Sequence, residues 1–312
     1  MKAKVYNKYG NPDVLETAEL PKPIAKKNEV VIKTISISLN QKDNLIRNGN
    51  FKLFTGSKFP KLIGSDFSGI IDSVGESVKD FKIGDEVFGY NDSVFGGVSA
   101  EYIVMPTKFL GIKPKEISHQ IASTLGCVYS TALQTLRDEC KIKQGDEILI
   151  YGASGGVGTA AMQIAKYYGA IVTAVAHSRN EEYCKNNGAD YFVAYDKADA
   201  FLSDKKYHIF FQVFSKKNEY NRAKNILTPK GNFITLMIFP MLFIKNVFSM
   251  NKIITFMVRA KRADFEFNAE LTKKKILNPF IAKFFDFDTI KEAYQLSENG
   301  SENGKIVVNI QK

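Results

Sequence analysis

Apolar residues in the first third of the chain form short runs that glycine and proline separate. Residues 30–40 alternate between apolar and polar side chains, and one face of the predicted strand would carry Val31, Lys33, Ile35, Ile37 and Leu39. The later apolar stretches are separated by residues that favour turns, namely Pro60, Gly64, Gly69, Gly75, Gly84 and Gly89. This pattern predicts a small β-rich barrel.

The pattern changes near Ser118, where helical spacing replaces alternation. Ser118 is a residue type that caps helices, and the apolar residues that follow it at helical intervals are Ile121, Ala122, Leu125 and Val128. From Glu147 onward apolar strands alternate with helices, and the predicted strands cover residues 148–151, 171–176, 191–194, 208–214 and 233–237. Continuous apolar strands that alternate with helices indicate a parallel sheet covered on both faces. We therefore predict a doubly wound, nucleotide-binding α/β domain.

The chain ends in a segment that is too poor in apolar residues to form a core of its own. It reads as a charged helix over 261–275, a second helix over 288–298 and a strand over 305–310. We therefore expect this tail to return to the first domain. The predicted organisation is a β-rich domain over 1–118, a doubly wound domain over 119–260, and the returning segment 261–312.

The predicted strand 148–151 runs directly into a glycine-rich loop, and a helix follows. The loop consists of Gly152, Ala153, Ser154, Gly155, Gly156, Val157 and Gly158. Glycines permit a tight turn and let a pyrophosphate approach the backbone, while the helix N-terminus offers free N–H groups and the positive end of its dipole. As a bare motif, G-x-x-G-G-x-G is weak, and a structural turn is the alternative. Its place between a strand and a helix nevertheless indicates dinucleotide binding.

The residues after the second predicted strand bear on the choice between NAD and NADP. A carboxylate there would bind the ribose 2′-hydroxyl, whereas a basic residue would accept a 2′-phosphate. The turn reads His177, Ser178, Arg179 and Asn180, and it contains no acid. Because Ser178 and Arg179 can both bind a phosphate, we predict NADPH; the alternative is that Arg179 is only a solvated cation. Tyr195, after the third strand, completes the predicted cofactor-binding set.

The charge distribution and the cysteine content limit which partners, metals and cellular compartment can be expected. The formal net charge is +10, but the lysines are scattered along all 312 residues without a basic run, so no nucleic-acid partner is expected. Cys127, Cys140 and Cys184 form no CxxC pair, which fits a reducing cytosol and gives no zinc cluster. The first residues lack the apolar core of a signal peptide, and the apolar run 233–244 is shorter than the roughly 18 to 20 residues of a membrane span. We therefore expect a cytoplasmic protein without a membrane span.

Short motifs along nearly the whole chain resemble one known family. The first group comprises Tyr9-Gly10, Val14-Leu15-Glu16, Ser38-Leu39-Asn40, Asp43, Arg47, Pro60, Gly64, Asp66, Gly69, Val74-Gly75, Gly84-Asp85, Val87, Gly89 and Ala100-Glu101-Tyr102. The second group comprises residues 152–158, Gln163-Ile164-Ala165-Lys166, Gly188-Ala189-Asp190 and Gly304-Lys305. In this order the motifs are similar to those of the zinc-independent medium-chain dehydrogenase/reductases, in the quinone oxidoreductase or zeta-crystallin-like branch.

The resemblance implies a GroES-like catalytic domain, a Rossmann domain and a substrate cleft between them. It also implies NADPH-dependent reduction of a quinone or of the C=C bond in an α,β-unsaturated ketone or aldehyde. The run Ser178-Arg179-Asn180 resembles the plant chloroplast-envelope homologues of this branch, which favours NADPH as the cofactor.

The chain departs from the family pattern at two positions. Many zeta-crystallin-like members have a tyrosine where this chain has Leu45, so no phenolic acid can be carried over. Zinc-dependent relatives have Gly-His-Glu where this chain has Gly64-Ser65-Asp66, which removes a histidine ligand. Cys127 occupies the place of a cysteine ligand in those relatives. Because one thiolate cannot build a tetrahedral site, we expect a buried core cysteine and no metal.

Hydride chemistry belongs to the nicotinamide cofactor, so the protein need only bind it, orient it and exclude water. We expect Asn40 and Asp43, at the end of a strand, to lie beside the nicotinamide as catalytic residues, with a structural turn as the alternative. Thr131 is expected to contact the nicotinamide ribose, and packing inside a helix is its alternative.

The predicted function is therefore the zinc-free, NADPH-dependent transfer of a hydride to a quinone or to the C=C bond of an α,β-unsaturated carbonyl compound. Two alternatives stay open. One is NADPH-dependent reduction of an aldehyde at its C=O bond, and the other is a catalytically idle NADPH-binding protein that acts as a redox sensor or structural subunit. A homodimer is also open, because dimers are common among such folds.

Overall fold

The computed structural model describes residues 1–94, 97–202, 204–213, 217–237, 249–300 and 302–311. Contacts within the chain divide it into two compact units. Unit 1 comprises Met1–Ser130, Arg259–Lys275 and Pro279–Lys312, and unit 2 comprises Thr131–Val258 and Ile276–Asn278.

The strands are β1 Lys2–Tyr6, β2 Leu15–Glu19, β3 Glu29–Ser38, β4 Lys61–Leu62, β5 Asp66–Val74, β6 Glu86–Tyr90, β7 Tyr102–Pro106, β8 Leu110–Ile112, β9 Glu147–Tyr151, β10 Ile171–Ala176, β11 Tyr191–Ala194, β12 Tyr207–Gln212, β13 Leu227–Thr235, β14 Lys252–Thr255, β15 Ile281–Asp286 and β16 Lys305–Asn309. The α-helices are α1 Gln41–Arg47, α2 Lys52–Thr55, α3 His119–Thr124, α4 Ser130–Leu133, α5 Gly156–Tyr167, α6 Glu181–Asn186, α7 Tyr220–Ala223, α8 Arg262–Lys273 and α9 Ile290–Asn299. Ser118 caps α3 as predicted, because its hydroxyl accepts a hydrogen bond from the N–H of Ile121 at 3.2 Å.

Unit 1 is built mainly from antiparallel strands, which confirms the β-rich architecture predicted for the first third of the chain. Its smaller sheet has the strand order β2-β1-β4, and its larger sheet has the order β15-β16-β3-β5-β6-β8, with β7 also paired to β3. Near the end of the chain, β16 pairs antiparallel with β3, so that Val307 lies opposite Ser38. The core of the unit is a cluster of buried apolar side chains that includes Val5, Phe67 and Tyr294.

Strand β3 does not alternate as predicted. Lys33 is exposed although it was placed on the apolar face, and the consecutive residues Val31 and Ile32 are both fully buried. The register against β5 shifts between Val31 and Ile32. Such an irregularity moves the following side chains to the other face of the sheet, so a strict period of two fails here.

Unit 2 is built on a parallel sheet with the strand order β11-β10-β9-β12-β13-β14. The chain adds β10 and β11 on one side of β9, and then crosses to add β12, β13 and β14 on the other side. α5 connects β9 to β10, and α6 connects β10 to β11. The predicted doubly wound parallel sheet is confirmed, and its strand order changes direction at β9.

Three strands differ from the sequence prediction, and one of them, β14, follows β13 in the parallel sheet where no strand was predicted. β15, which pairs in parallel with β16, was missed because its side chains are half-buried or exposed and form no apolar run. β13 begins at Leu227 instead of residue 233 and contains Pro229. Because proline has no N–H to donate, its neighbours leave the ladder, and the register against β12 shifts between Tyr207 and Ile209.

In the part of the chain that the structure describes, none of the helices combines the length and the apolar character that crossing a membrane requires. Residues 238–248, which include the end of the apolar run 233–244, lie outside the described ranges.

Candidate functional site

The glycine-rich loop begins where β9 ends, at the point in the sheet where the strand order changes direction. Gly152 has a φ of +90°, a left-handed conformation that favours glycine. The N–H groups of Gly152 and Ala153 donate to the carbonyl oxygen of Val175 on β10, over 3.0 and 3.1 Å. These bonds hold the start of the loop against β10. In open α/β sheets, ligands bind in the crevice at this switch point.

Gly155 and Gly158 serve different purposes in the loop. A Cβ atom on Gly158 would lie 2.3 Å from the carbonyl oxygen of Gly152 and 2.5 Å from that of Ala153, so only glycine fits there. A Cβ atom on Gly155 would meet nothing nearer than the Gly152 oxygen at 3.9 Å, and the φ of Gly155 is an ordinary −77°. The space beside Gly155 is therefore an open cradle, which a side chain would fill and a phosphate can enter.

Helix α5 begins at this cradle. Gly155 is its N-cap and Gly156 its first residue, so neither has a side chain that could cap the helix, and the first turn contains no acid. The first N–H groups and the positive end of the helix dipole are thus left for an anion. Ser154 is held in place because its hydroxyl accepts a hydrogen bond from Nδ2 of Asn180 at 3.0 Å. The seven predicted loop residues thus form a turn that combines open space at Gly155 with an uncapped helix N-terminus.

The turn after β10 brings together Ser178, Arg179 and Tyr195. Arg179 is exposed, and its backbone N–H donates to Nδ1 of His177 at 3.3 Å. The ring of Tyr195 stands edge-on to the ring of His177, with centroids 5.9 Å apart, and the N–H of Tyr195 donates to the carbonyl of Ala176 at 3.1 Å. The three predicted residues therefore lie close together at the carboxyl ends of β10 and β11, with Arg179 and Tyr195 exposed and Ser178 half-buried.

Asp196 also lies at this turn, and the sequence analysis missed it. Its Oδ1 accepts a hydrogen bond from the N–H of Ser178, and its Oδ2 accepts one from the Ser178 hydroxyl, both over 2.7 Å. Residues 177–180 of the turn include no acid, but the folded chain places the carboxylate of Asp196 against it. The available signal was the position of Asp196 just after β11, because the carboxyl ends of neighbouring parallel strands meet at one edge.

Two further positions from the sequence analysis lie on helices. Thr131 belongs to unit 2 and is 4% exposed within α4. Leu45 lies on α1 of unit 1 and is half-buried. Neither side chain is an acid, and Leu45 provides no group that could transfer a proton.

Unit 1 contains a buried polar cluster whose members are Ser38, Asn40, Asp43, Ser65, Asp66 and Lys305. The ammonium group of Lys305 donates to the carbonyl of Leu39 and to Oδ1 of Asn40, each over 2.6 Å. It also lies 3.4 Å from Oδ2 of Asp66. Burial raises the pKa of Asp66, while Lys305 and the hydrogen bonds to the carboxylate oppose this rise.

The two predicted catalytic residues lie together in the buried polar cluster. Nδ2 of Asn40 donates to Oδ2 of Asp66 at 2.9 Å and to the Ser65 hydroxyl oxygen at 3.3 Å. Asp43 accepts hydrogen bonds from the N–H of Asn40 at 3.0 Å and from the Ser65 hydroxyl at 2.7 Å. Burial raises the pKa of Asp43 from 3.8 to about 6. Asp43 also caps the start of α1, so it has a structural role whatever else it does.

Cys127 adjoins the same cluster through its backbone, because its N–H donates to Oδ1 of Asp66 at 2.8 Å. The thiol is buried, and burial raises its pKa to about 12. The side chain is therefore a protonated thiol at neutral pH, whereas a metal ligand or a nucleophile must be a thiolate.

Comparisons with known proteins match this architecture. Residues 26–115 match the family described as "Alcohol dehydrogenase GroES-like domain", and residues 187–308 match the one described as "Zinc-binding dehydrogenase". The chloroplast envelope quinone oxidoreductase homolog of Arabidopsis thaliana is 32% identical, over 99% of this chain and 98% of its own length. The chloroplastic NADPH-dependent alkenal/one oxidoreductase of the same plant is 30% identical, over 99% of this chain and 79% of its own length. The structure of the quinone oxidoreductase from Coxiella burnetii aligns with a TM-score of 0.92 at 27% identity, covering 100% of this chain and 99% of that one.

A GroES-like region and a doubly wound sheet with a glycine-rich loop, present in one chain, define the alcohol-dehydrogenase-like class of proteins. Because the similarity extends over nearly the full length of the plant homologue, the chain belongs to the medium-chain dehydrogenase/reductase superfamily, in the branch of the quinone oxidoreductase homologues. The resemblance and the fold class predicted from the sequence are confirmed.

The name of the second matched family implies a zinc ion, but the residues of unit 1 do not suit one. By the resemblance to zinc-dependent relatives, Ser65 takes the position of their histidine ligand, and its hydroxyl donates a hydrogen bond to Asp43. The thiol of Cys127 is protonated, and the ammonium of Lys305 already lies beside Asp66. Across the described ranges, no group of three or more His, Cys, Asp or Glu side chains is arranged to hold a metal ion.

Proposed function

We propose that this chain is an NADPH-dependent reductase that delivers a hydride to a quinone or to the C=C bond of an α,β-unsaturated carbonyl compound, without zinc. The observation that carries the proposal is the open cradle at Gly155, with the N-terminus of α5 beside it at the switch point of the sheet. Relatives whose names specify quinones, alkenals and NADPH support the same reaction class.

The loop from Gly152 to Gly158 binds the pyrophosphate of NADPH through its backbone N–H groups. When bound, the nicotinamide supplies the hydride, so the protein needs no side chain that forms one. Ser178, Arg179 and Tyr195 bind the adenosine ribose and its 2′-phosphate, and Thr131 contacts the nicotinamide ribose. The position of the turn just after β10, with Arg179 exposed and Ser178 half-buried, supports this assignment.

Asn40 and Asp43 are the proposed catalytic residues. Each is buried and hydrogen-bonded within the buried polar cluster, which holds polar groups in a single orientation. Asp43 can exchange a proton near neutral pH, because burial raises its pKa to about 6. The protein surroundings thus offer a proton for the reduced product without a phenol at the position of Leu45.

The proposal extends to a homodimer in the cytoplasm. Cys127, Cys140 and Cys184 form no disulfide bond in the structure, which fits a reducing compartment. Two-fold dimers are the commonest soluble oligomers, and the family resemblance favours one. Light scattering of the purified protein gives the molecular mass in solution, and a mass of one 35.0 kDa chain would reject the dimer. Fractionation of the native cells tests the compartment.

The decisive experiment follows the absorbance of NADPH with a panel of quinones, enones and simple aldehydes, using NADH and a chelator as controls. We expect turnover with quinones or enones, a saturated carbonyl product from each enone, and no effect of the chelator. An alcohol product from an enal would indicate reduction at C=O instead. Tight NADPH binding with no turnover across the panel would indicate an idle binding protein.

A variant of the cradle ties that activity to the loop. Gly155→Asp places a carboxylate where the pyrophosphate is proposed to bind, in space that is otherwise open, so the fold should be retained. We expect NADPH to bind at least about tenfold more weakly, because two negative charges then meet at the helix N-terminus. Gly155→Ala is the matched control without the charge, and equal binding by the two variants would argue against the cradle as the anion site.

A further inference from the structure

Asp196 occupies a place that the proposed NADPH site needs. β11 ends at Ala194, and Tyr195 leads the chain back over the end of β10. Asp196 then accepts hydrogen bonds from both the N–H and the hydroxyl of Ser178, each over 2.7 Å. One carboxylate therefore takes both hydrogen-bond donors that Ser178 can offer to an anion.

The carboxylate behaves as an internal anion at this turn. The hydrogen bond from the Ser178 hydroxyl, together with that from the Ser178 N–H, lowers the pKa of Asp196, so it is ionised at neutral pH. Nδ1 of His177 lies 3.9 Å from Oδ1 of the same carboxylate. Arg179 is exposed on the same turn, so a basic and an acidic side chain are both present there.

We infer that Asp196 is a specificity-determining residue, which sets how strongly this chain prefers NADPH over NADH. This inference rests on the proposed function and adds to it the residue that adjusts the choice of cofactor. A 2′-phosphate has to displace the carboxylate from Ser178, because two anions cannot share the same donors. The 2′-hydroxyl of NADH can donate to the carboxylate where it stands. Arg179 and Ser178 favour NADPH over NADH, and Asp196 therefore makes this preference smaller than it would otherwise be.

The surroundings allow the carboxylate to move. The Asp196 side chain is 27% exposed, so it is not locked in a packed core. It also lines a cleft of about 430 Å³, whose other walls include Tyr151, Phe201 and Arg222. A carboxylate that turns away from Ser178 therefore has open space beside it. The cost of displacement then lies mainly in the lost hydrogen bonds.

The test compares the dissociation constants of NADPH and NADH for the original chain and for Asp196→Asn, which keeps the shape of the side chain and removes its charge. We expect the ratio of the NADH constant to the NADPH constant to rise by at least about tenfold, the effect of removing one charge-assisted hydrogen bond. Titration of nucleotide fluorescence measures both constants without any turnover.

Asp199→Asn is the matched control. Asp199 lies on the same segment and also lines the cleft, but it pairs with Arg222 and not with Ser178. We expect its ratio to stay within about twofold of the original, since exposed ion pairs contribute little. Asp196→Ser provides a second uncharged variant should Asp196→Asn fold poorly, and it should shift the ratio in the same direction.

The outcomes separate this inference from the proposed function. If the original chain binds both nucleotides and neither Asp196 variant changes the ratio beyond the Asp199 control, the role of Asp196 is rejected while the cofactor site stands. If the original chain binds neither nucleotide, the proposed function fails, and the role of Asp196 fails with it. If the ratio of the NADH to the NADPH dissociation constant rises in the Asp196 variants but not in Asp199→Asn, the result supports Asp196 as a specificity-determining residue.

Discussion

The ammonium of Lys305 lies 3.4 Å from the carboxylate of Asp66, and the two side chains are 5% and 0% exposed. Lys305 begins β16, the last described strand, whereas Asp66 begins β5, and 239 residues separate them in the chain. Because Lys305 also donates to Leu39 and Asn40, it joins the end of the chain to the strand that precedes the proposed catalytic residues. The buried polar cluster thus connects segments of unit 1 that are distant in the sequence.

The ion pair between Lys305 and Asp66 should contribute to the stability of the folded chain. We expect Lys305→Met to lower the free energy of unfolding by about 4 kcal/mol, because it leaves the Asp66 carboxylate buried without its cation. Denaturant unfolding of the purified protein measures this loss. Lys33→Met is the matched control at an exposed position of β3, with an expected change below about 0.5 kcal/mol. Equal losses of stability in both variants would mean that the ion pair contributes nothing specific. The double variant Asp66→Asn/Lys305→Met should lose less free energy of unfolding than the sum of the two single variants.

Asp43 should give the stability a distinctive pH dependence. Because burial raises its pKa from 3.8 to about 6, the folded chain binds this proton more tightly than the unfolded chain does. Raising the pH from 3.8 to about 6 therefore removes stability through this group, by up to roughly 3 kcal/mol, and above about 6 the effect is constant. In Asp43→Asn this contribution is absent. The free energy of unfolding of Asp43→Asn minus that of the original chain should rise across this pH window, and a flat difference would contradict the shifted pKa.

Replacement by alanine should affect stability strongly at Gly158 and hardly at Gly155. Gly158→Ala is expected to lower the free energy of unfolding by about 2 kcal/mol or more, because its Cβ would overlap the carbonyl oxygen of Gly152. Gly155→Ala should change it by less than about 0.5 kcal/mol, because its φ is ordinary and its surroundings are open. Thermal and denaturant unfolding of the two variants decide the matter. A large loss at Gly155 would show that the cradle is needed for folding and is not kept open for a ligand.

Metal removal should leave the enzyme active. Chelator treatment is expected to change neither turnover nor melting temperature, and elemental analysis should find much less than one zinc per chain, because the donor set lacks a histidine and a thiolate. Cys127→Ser should keep its NADPH-dependent turnover, since burial raises the pKa of the Cys127 thiol to about 12 and leaves it protonated. Stoichiometric zinc that disappears in Cys127→Ser, together with the activity, would overturn the zinc-free assignment.

Much of unit 2 could be predicted because its signals are local. A parallel strand buried on both faces needs a continuous apolar run. The sequences of β9, β10 and β11 are each apolar over all or nearly all of their length. Gly169, with a φ of +77°, ends the helical segment where glycine was expected to end it. Unit 1 was less predictable, since β3 contains a shift in register and β15 has no buried face of its own.

The candidate site shows the same division. The loop from Gly152 to Gly158 is contiguous, so its chemistry can be read directly from the order of the residues. Asp196 is 18 residues from Ser178, and it reaches the turn only because β11 pairs in parallel with β10. The turn itself contains no acid, and the one signal for the pair was that Asp196 lies just after β11, as Ser178 lies just after β10.

By itself the sequence determined the local elements: the glycine-rich loop between a strand and a helix, the parallel α/β succession, and the absence of a histidine at Ser65. Only the tertiary structure decided which side chains share an environment, such as Lys305 with Asp66 and Asp196 with Ser178. The physical reason is that helix and strand preferences act over a few residues, whereas burial, hydrogen bonding and charge depend on what strand pairing brings within about 3 Å.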